Sequence, residues 1–228
     1  MKLLAIDTAL DEASAAVWEG DDPATGSISD AVCSERAAAS RELLPAIDRL
    51  LAGRGWTVAQ LDGVAVTIGP GSFTGLRIGV SLVKGLVSAR RAPVAAVGTL
   101  DAVALASGCS GQVAAILDAR RGECYVRLFD CRDGAITPRS EELLIASEAW
   151  AASLAVDGPL WCVGAGAVRH ADALRAGLGA RATILHQPVM TAATAALRLG
   201  ARMVASGRTT PLEALLPRYV RRSDAEAN

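Results

Sequence analysis

The sequence predicts an α/β protein in which short strands alternate with helices. Two observations predict it. Short apolar runs such as LLAIDT (3–8), DGVAVTIG (62–69) and APVAAVG (92–98) alternate with longer segments whose apolar positions recur at helical spacing. A layout of strand, Asp-containing turn and strand also occurs twice, at LLAIDT–ASAAVW and at QVAAILDAR–ECYVRLFD, which suggests two related subdomains. The 228 residues correspond to one large domain or two small ones, enough to bury a core without metals or disulfides. Apolar residues at 51% and charged residues at 21% exclude a disordered chain, and aromatics at only 4% point to tight packing of Ala, Val and Leu.

Taken in order, LLAIDT (3–8) and ASAAVW (13–18) read as a hairpin, GDDPATGSISD (20–30) as a loop and AVCSER (31–36) as a third antiparallel strand. Residues 40–53 place Leu43, Leu44, Ile47, Leu50 and Leu51 on one helical face, with Pro45 awkward unless it falls in the first turn. A strand at 62–69, a helix at 74–90, a strand at 92–98 and a helix at 99–107 complete a compact unit. The Gly/Ser-rich SGCSG (107–111) is the best internal boundary. Strands at 112–120 and 123–130 follow, then a polar loop, a helix at 147–155, a strand at 160–164, a helix at 167–177 and a strand at 182–186. An Ala-rich helix at 191–206 and a basic tail from Pro217 close the sequence.

Charge and cysteine usage narrow the function classes. A net charge of −1 excludes a broad basic surface that holds nucleic acid by itself, though not a local basic patch. Cys33, Cys109, Cys124, Cys131 and Cys162 form no CxxC pair and none adjoins a His, so a disulfide framework or zinc site is not expected. Asp7 interrupts the first apolar run too early for a secretory signal, and no uncharged stretch reaches a membrane span; the expectation is a cytoplasmic protein without membrane attachment.

The strongest local feature is IGPGSFTGLRIG (68–79), where a buried strand ends in a Gly-Pro-Gly turn that opens a helix. Amide groups at such a start can hold an anion. The nucleotide templates fit poorly: no Gly-Lys-Ser/Thr occurs, Thr74 stands where a dinucleotide fingerprint needs Gly, and Ser72 directly follows Gly71, which breaks a hydrolase elbow. The packing reading is preferred. Gly71, Gly75 and Gly79 are four apart, as are Ser81, Gly85 and Ala89, and side-chain-free ridges let another backbone come close. The helix is apolar over so much of its girth that it needs cover from more than one side. One cover is its own sheet; the other is either a second chain or a further layer of its own fold.

The remaining constellations are weaker. Asp7 is a turn former or, less commonly, a phosphate or metal group. Asp118, Arg120, Arg121 and Glu123 form a charged hairpin tip, a solvated face or a phosphate contact. VGAGAV (163–168) is a tight strand-to-helix turn or lies beneath a nucleotide base, and His170 and His186 stand alone. No nucleophile–base pair is evident, which argues against independent catalysis.

With LLAIDTALDEASAAV at the start, ELLPAIDRLL at 42–51, VTIGPGSFTGLRIGVSLVKGL at 66–86, PVAAVGTLDAVA at 93–104, LDARRGECYV at 117–126 and PRYVRR at 217–222, the chain resembles the TsaB (YeaZ) family of the tRNA threonylcarbamoyladenosine machinery, the dimerization subunits of its threonylcarbamoyltransferase complex. That resemblance implies a two-lobed actin/Hsp70-like ATPase (ribonuclease H-like) fold with a reduced second lobe: an N-terminal dimerization lobe at 1–108 and a C-terminal lobe at 109–228, with the helix at 191–206 able to pack back on the first. It implies a non-catalytic scaffolding subunit that binds and activates TsaD, together with TsaE, so that a threonylcarbamoyl group carried as threonylcarbamoyl-adenylate reaches N6 of the adenosine beside the anticodon. It implies a homodimer in isolation, tRNA contact through the complex, and no cofactor of its own, ATP/ADP being used by the complex. Gly71, Phe73, Gly75, Leu76, Arg77, Gly79 and Leu82 carry across as partner-interface residues, with support from the helix near 42–52. Asp7 and Thr8 carry across as nucleotide or phosphate residues, and no catalytic or metal residue carries across. The family's His before the first long helix is absent: the text here is Ala39-Ser40-Arg41-Glu42. The rival reading is a stand-alone small-molecule kinase or ATPase of the same fold; a peptidase lacks its nucleophile.

Overall fold

The computed structural model describes residues 1–22, 25–33, 39–89 and 92–220. The end of the expected third strand at 34–36, the side chains of Ala39 and Ser40, and Arg221 and Arg222 lie outside the described residues. Among the described residues the chain forms two compact units, the first from Met1–Ala102 with Thr191–Tyr219 and the second from Val103–Met190 with Val220.

In the first unit β1 (Lys2–Asp7), β2 (Ala13–Glu19) and β3 (Ser27–Cys33) form an antiparallel meander, and β4 (Gly63–Thr67) and β5 (Val94–Val97) join β1 in parallel. The order is β3-β2-β1-β4-β5. β1 and β4 are apolar on both faces because both faces are covered. Leu4, Ile6, Val64 and Val66 meet Leu43, Ala46, Ile47 and Leu51 of α1 (Ala39–Gly53) and Val80, Val83 and Val87 of α2 (Phe73–Val87). Pro45 stands inside α1 beyond the first turn, contrary to the simplest expectation. It faces solvent, as does Arg41, to whose carbonyl a proline has no N–H to donate. α3 (Thr99–Ala106) follows β5.

The sequence-based boundary at 107–111 is displaced in the structure, where the division falls after Ala102 and residues 191–219 belong to the first unit. The reason is α7 (Ala192–Ala205), which packs on β1, β2, β4 and β5. Its Ala-rich face comes so close that a Cβ on Gly200 would strike that of Ala65. Beyond it, Thr210 bonds to the carbonyl of Val94 and Leu215 is fully buried in the α1/α2 core.

The second unit repeats the order. β6 (Gly111–Arg120) and β7 (Glu123–Arg132) are antiparallel, and β10 (Leu160–Val163) and β11 (Ala182–Ile184) extend the sheet in parallel from β6. The expected polar loop after β7 instead contains two short strands, β8 (Ala135–Pro138) and β9 (Leu143–Ala146), both paired with β7. Each is only four residues long, too short for a period to show, with β8 mostly exposed and β9 half-buried at Leu144 and Ile145. α4 (Ser147–Ser153), α5 (Ala165–Arg169) and α6 (Ala171–Leu178) complete the unit; the helix expected at 167–177 is broken at His170. Trp150, Leu174 and Leu178 close its core over Ile116, Val126 and Leu160. In each unit the first strand pairs antiparallel with the second and parallel with a later one, the ribonuclease H-like arrangement of the actin-like ATPase fold. Among the described residues no helix is long and apolar enough to cross a membrane.

Ile47 is 0% exposed and the adjacent Leu44 is 44% exposed, so α1 provides its own control. Ile47→Ala is expected to cost about 2–5 kcal/mol in urea unfolding, and Leu44→Ala to stay within about 0.5 kcal/mol.

Candidate functional site

β1 ends at Asp7, and the turn Thr8–Ala9 that follows lies against the Gly-Pro-Gly segment after β4. Asp7 is fully buried; its Oδ1 accepts from Thr67 Oγ1 at 2.5 Å and from the Ala9 amide at 3.3 Å. Thr8 is also buried and donates its hydroxyl to the Gly75 carbonyl at 2.7 Å. The Ser72 amide donates to the Ala9 carbonyl at 2.9 Å, and Ser72 Oγ caps α2 by accepting from the Gly75 amide at 3.2 Å. Asp7 and Thr8 thus tie the β1–β2 turn to β4 and α2.

This geometry corrects one sequence expectation. The ridge of Gly71, Gly75 and Gly79, expected to meet a partner, is filled by the protein's own turn. A Cβ at Gly71 would sit 2.5 Å from the Ala9 carbonyl oxygen, one at Gly75 would strike the Thr8 carbonyl oxygen, and one at Gly79 the Thr8 hydroxyl. Gly75, Leu76 and Gly79 are buried, and Gly71 and Leu82 are half-buried. Of the residues carried across from the family pattern, Phe73 and Arg77 are exposed.

The outward stripe of α2 is therefore Phe73, Thr74, Arg77, Ser81 and Gly85, continued by Ser88 and Ala89 in the turn beyond its end and flanked by half-buried Ile78, Leu82, Lys84 and Leu86. The second small-residue row lies on it: a Cβ at Gly85 would meet nothing within 4 Å. At its N-terminal end stands a cluster the sequence did not reveal. Tyr219 stacks on Phe73 with ring centroids 4.8 Å apart, Arg77 lies 4.0 Å over the Phe73 ring, and Arg77 Nε donates to Tyr219 Oη at 3.1 Å. Arg218 brings Tyr219 there: its amide donates to the Ile68 carbonyl at 2.6 Å and its Nη2 to the Gly69 carbonyl at 3.1 Å. Gly69 has φ 126°, and any side chain on it would collide with the Arg218 carbonyl.

The second unit has a counterpart. Asp118, near the end of β6, is approached by His170 Nε2 at 3.3 Å, Arg169 Nε at 3.2 Å and Arg120 Nη1 at 3.6 Å. VGAGAV is the tight turn: a Cβ on Gly166 would lie 2.6 Å from the Leu117 carbonyl carbon, and one on Gly164 2.5 Å from the Ile116 carbonyl oxygen. His170 is thus paired with a carboxylate rather than isolated, a contact across 52 residues with no local signal.

The thiols are unsuited to nucleophilic work. Burial, with the charge of Asp118 added, pushes the Cys124 thiol up to about 11. Burial, then Cys109 and Asp130, pushes Cys131 to about 11, and burial alone takes Cys162 to about 12. Among the described residues no group of three or more His, Cys, Asp or Glu side chains could hold a metal ion.

Residues 34–153 match the family of TsaD, tRNA N6-adenosine threonylcarbamoyltransferase. The chain is 33% identical over 130 residues to the tRNA threonylcarbamoyladenosine biosynthesis protein TsaB of Escherichia coli, covering 55% of this chain and 53% of that protein. It is 39% identical over 93 residues to TsaB of Bacillus subtilis, covering 40% of each. The matched stretch thus spans about half the length of the Escherichia coli relative and less of the Bacillus subtilis one. YeaZ from Pseudomonas aeruginosa superposes with a TM-score of 0.78 at 26% identity, covering 96% of this chain and 99% of that one.

Two outcomes follow from the packing. Gly75→Ala and Gly79→Ala are each expected to destabilise by about 1–3 kcal/mol in urea unfolding, whereas Gly85→Ala is neutral or stabilises by up to about 1 kcal/mol. The buried thiols keep their protons up to about 11–12, above their reference value of 9.0, so the folded state binds more protons than the unfolded one between those values. Their contribution is complete below pH 9.0 and is lost as pH rises towards 11–12, which urea melts across that range would register.

Proposed function

The chain belongs to the TsaD family, and we propose that it acts in tRNA threonylcarbamoyladenosine biosynthesis as a TsaB-type subunit that docks a TsaD-type catalytic subunit, with a TsaE-type ATPase, through the outer stripe of α2. The observation that carries this reading is that stripe. It lies in the segment with the strongest family resemblance, and it combines small residues with an exposed aromatic pair and a guanidinium. Ser81, Gly85 and Ala89 leave room for a partner backbone, and Phe73, Tyr219 and Arg77 offer a rigid, partly desolvated anchor of the kind that dominates interface energies.

The same stripe serves an isologous homodimer in the absence of the catalytic subunit, so the two assemblies compete for one face. Docking stabilises the competent arrangement of the catalytic subunit to the extent that it binds that arrangement more tightly than others. The transfer chemistry, with its ATP/ADP and threonylcarbamoyl-adenylate, belongs to the complex. The side chains support this division of labour: the Thr8 hydroxyl is committed to Gly75, Asp7 accepts from Thr67, and the buried thiols stay protonated.

Gly85→Trp places a large side chain on the stripe where the monomer has space. The expected result is a melting temperature at or above that of the unaltered chain, together with loss of co-elution with a TsaD-type subunit on size exclusion and of the homodimer in sedimentation. Full complex formation by this variant overturns the proposal, as does steady ATP hydrolysis by the purified chain alone, which the rival kinase reading requires.

A further inference from the structure

We propose that the β6–β7 hairpin tip and the junction of α5 with α6 form a phosphate-binding patch for the ribose-phosphate backbone of RNA, built on Arg120, Arg121 and Arg169. The choice of RNA rests on the tRNA reading above; the patch itself rests on two independent observations.

The first is backbone strain. Arg120, Arg121 and Gly122 have φ of 65°, 54° and 77°. Arg121 and Gly122 are the two central residues of a two-residue hairpin, since Arg120 pairs with Glu123, and the ladder shifts register between Asp118 and Arg120. Such turns favour Asn-Gly or Gly-Gly, and a left-handed conformation is costly for any residue with a long side chain. Two consecutive arginines occupy it here. Both are exposed at the tip. Left-handed backbone of this kind clusters at functional sites.

The second is a clamp. Asp118 is only 12% exposed and lies beneath the arginines, whose side chains are 65% (Arg120) and 62% (Arg169) exposed. Asp118 Oδ2 holds Arg169 by its Nε and Arg120 by one terminal nitrogen, while Oδ1 accepts the Arg120 amide at 3.0 Å and faces His170. With Asp118 Oδ2 3.2 Å from the Arg169 guanidinium and 3.6 Å from that of Arg120, the carboxylate gathers the two beside one another while each stays mostly exposed, a pairing that suits a phosphoryl oxyanion. The strands and α5 hold this frame rigid through the backbone contact of Gly166 with Leu117 and Asp118. The patch is small, in keeping with a net charge of −1, so RNA binding by the chain alone is weak and strongly salt-dependent.

The experiment measures fluorescence anisotropy of a labelled, unmodified tRNA transcript with the full chain, over a salt series, alongside thermal melts. Arg121→Gly and Arg120→Gly are expected to raise the melting temperature by about 2–4 °C, because strain is relieved, and to weaken RNA binding several-fold. Arg169→Ala leaves the turn intact and weakens binding likewise. Each removal lowers the slope of log affinity against log salt by up to about 0.9. Unchanged affinity in all three variants overturns the proposal, as does absence of tRNA binding by the unaltered chain. Displacement of the tRNA by ATP or inorganic phosphate at concentrations matching the tRNA itself overturns the assignment to RNA in favour of a free phosphate ligand. Because the chain is tested without partners, this result is read separately from docking through α2: Gly85→Trp should bind tRNA as the unaltered chain does.

Discussion

The turn after β1 comes close against the backbone of the first two turns of α2. Thr8 lies where side chains at residues 75 and 79 would be, and its hydroxyl bonds to the backbone of the helix it touches. Everything at this end of the unit depends on that contact. It orients the start of α2, it fixes the Gly-Pro-Gly turn on which Arg218 rests, and it commits Asp7 and Thr67 to each other beneath it. The second unit solves the same problem with Gly164 and Gly166 against Ile116 to Asp118. In both, the helix that follows the parallel strand must be bare where it crosses the end of the first strand. The two units share this constraint more visibly than they share sequence.

The constraint divides the surfaces of α2 by purpose. One small-residue row is spent inside the fold and cannot be offered to another molecule. The other row, one helical face away, has no internal counterpart, and it is continued by a stacked aromatic pair supplied from two distant parts of the chain. A face of small, mostly polar side chains ended by a cation–aromatic group suits close association with a second backbone better than it suits a small ligand.

How far the sequence revealed this varies by element. α1 and α2, the parallel strands and the two hairpins were legible because burial on one or both faces imposes a period on the residues. β8 and β9 were not, since short strands on an exposed edge bury too little to pattern. The glycine ridge was half legible. Residues 71, 75 and 79 announce that a backbone comes close, but nothing in a spacing says whose, and here it is the chain's own. Tyr219 on Phe73 and His170 on Asp118 were invisible for a different reason: each is made by tertiary proximity across a long sequence gap, 142 residues between Arg77 and Tyr219 and 52 between Asp118 and His170. The basic hairpin tip was visible as composition, yet its left-handed backbone was not.

The first unit is assembled from both sides of the second. Its sheet is written early in the chain, but α7, which covers one face, and Leu215, which plugs the other, come after Met190. On the ribosome, residues 103–190 therefore emerge while the sheet of the first unit still lacks its last helix and the plug at Leu215. The sheet that is written first is covered last.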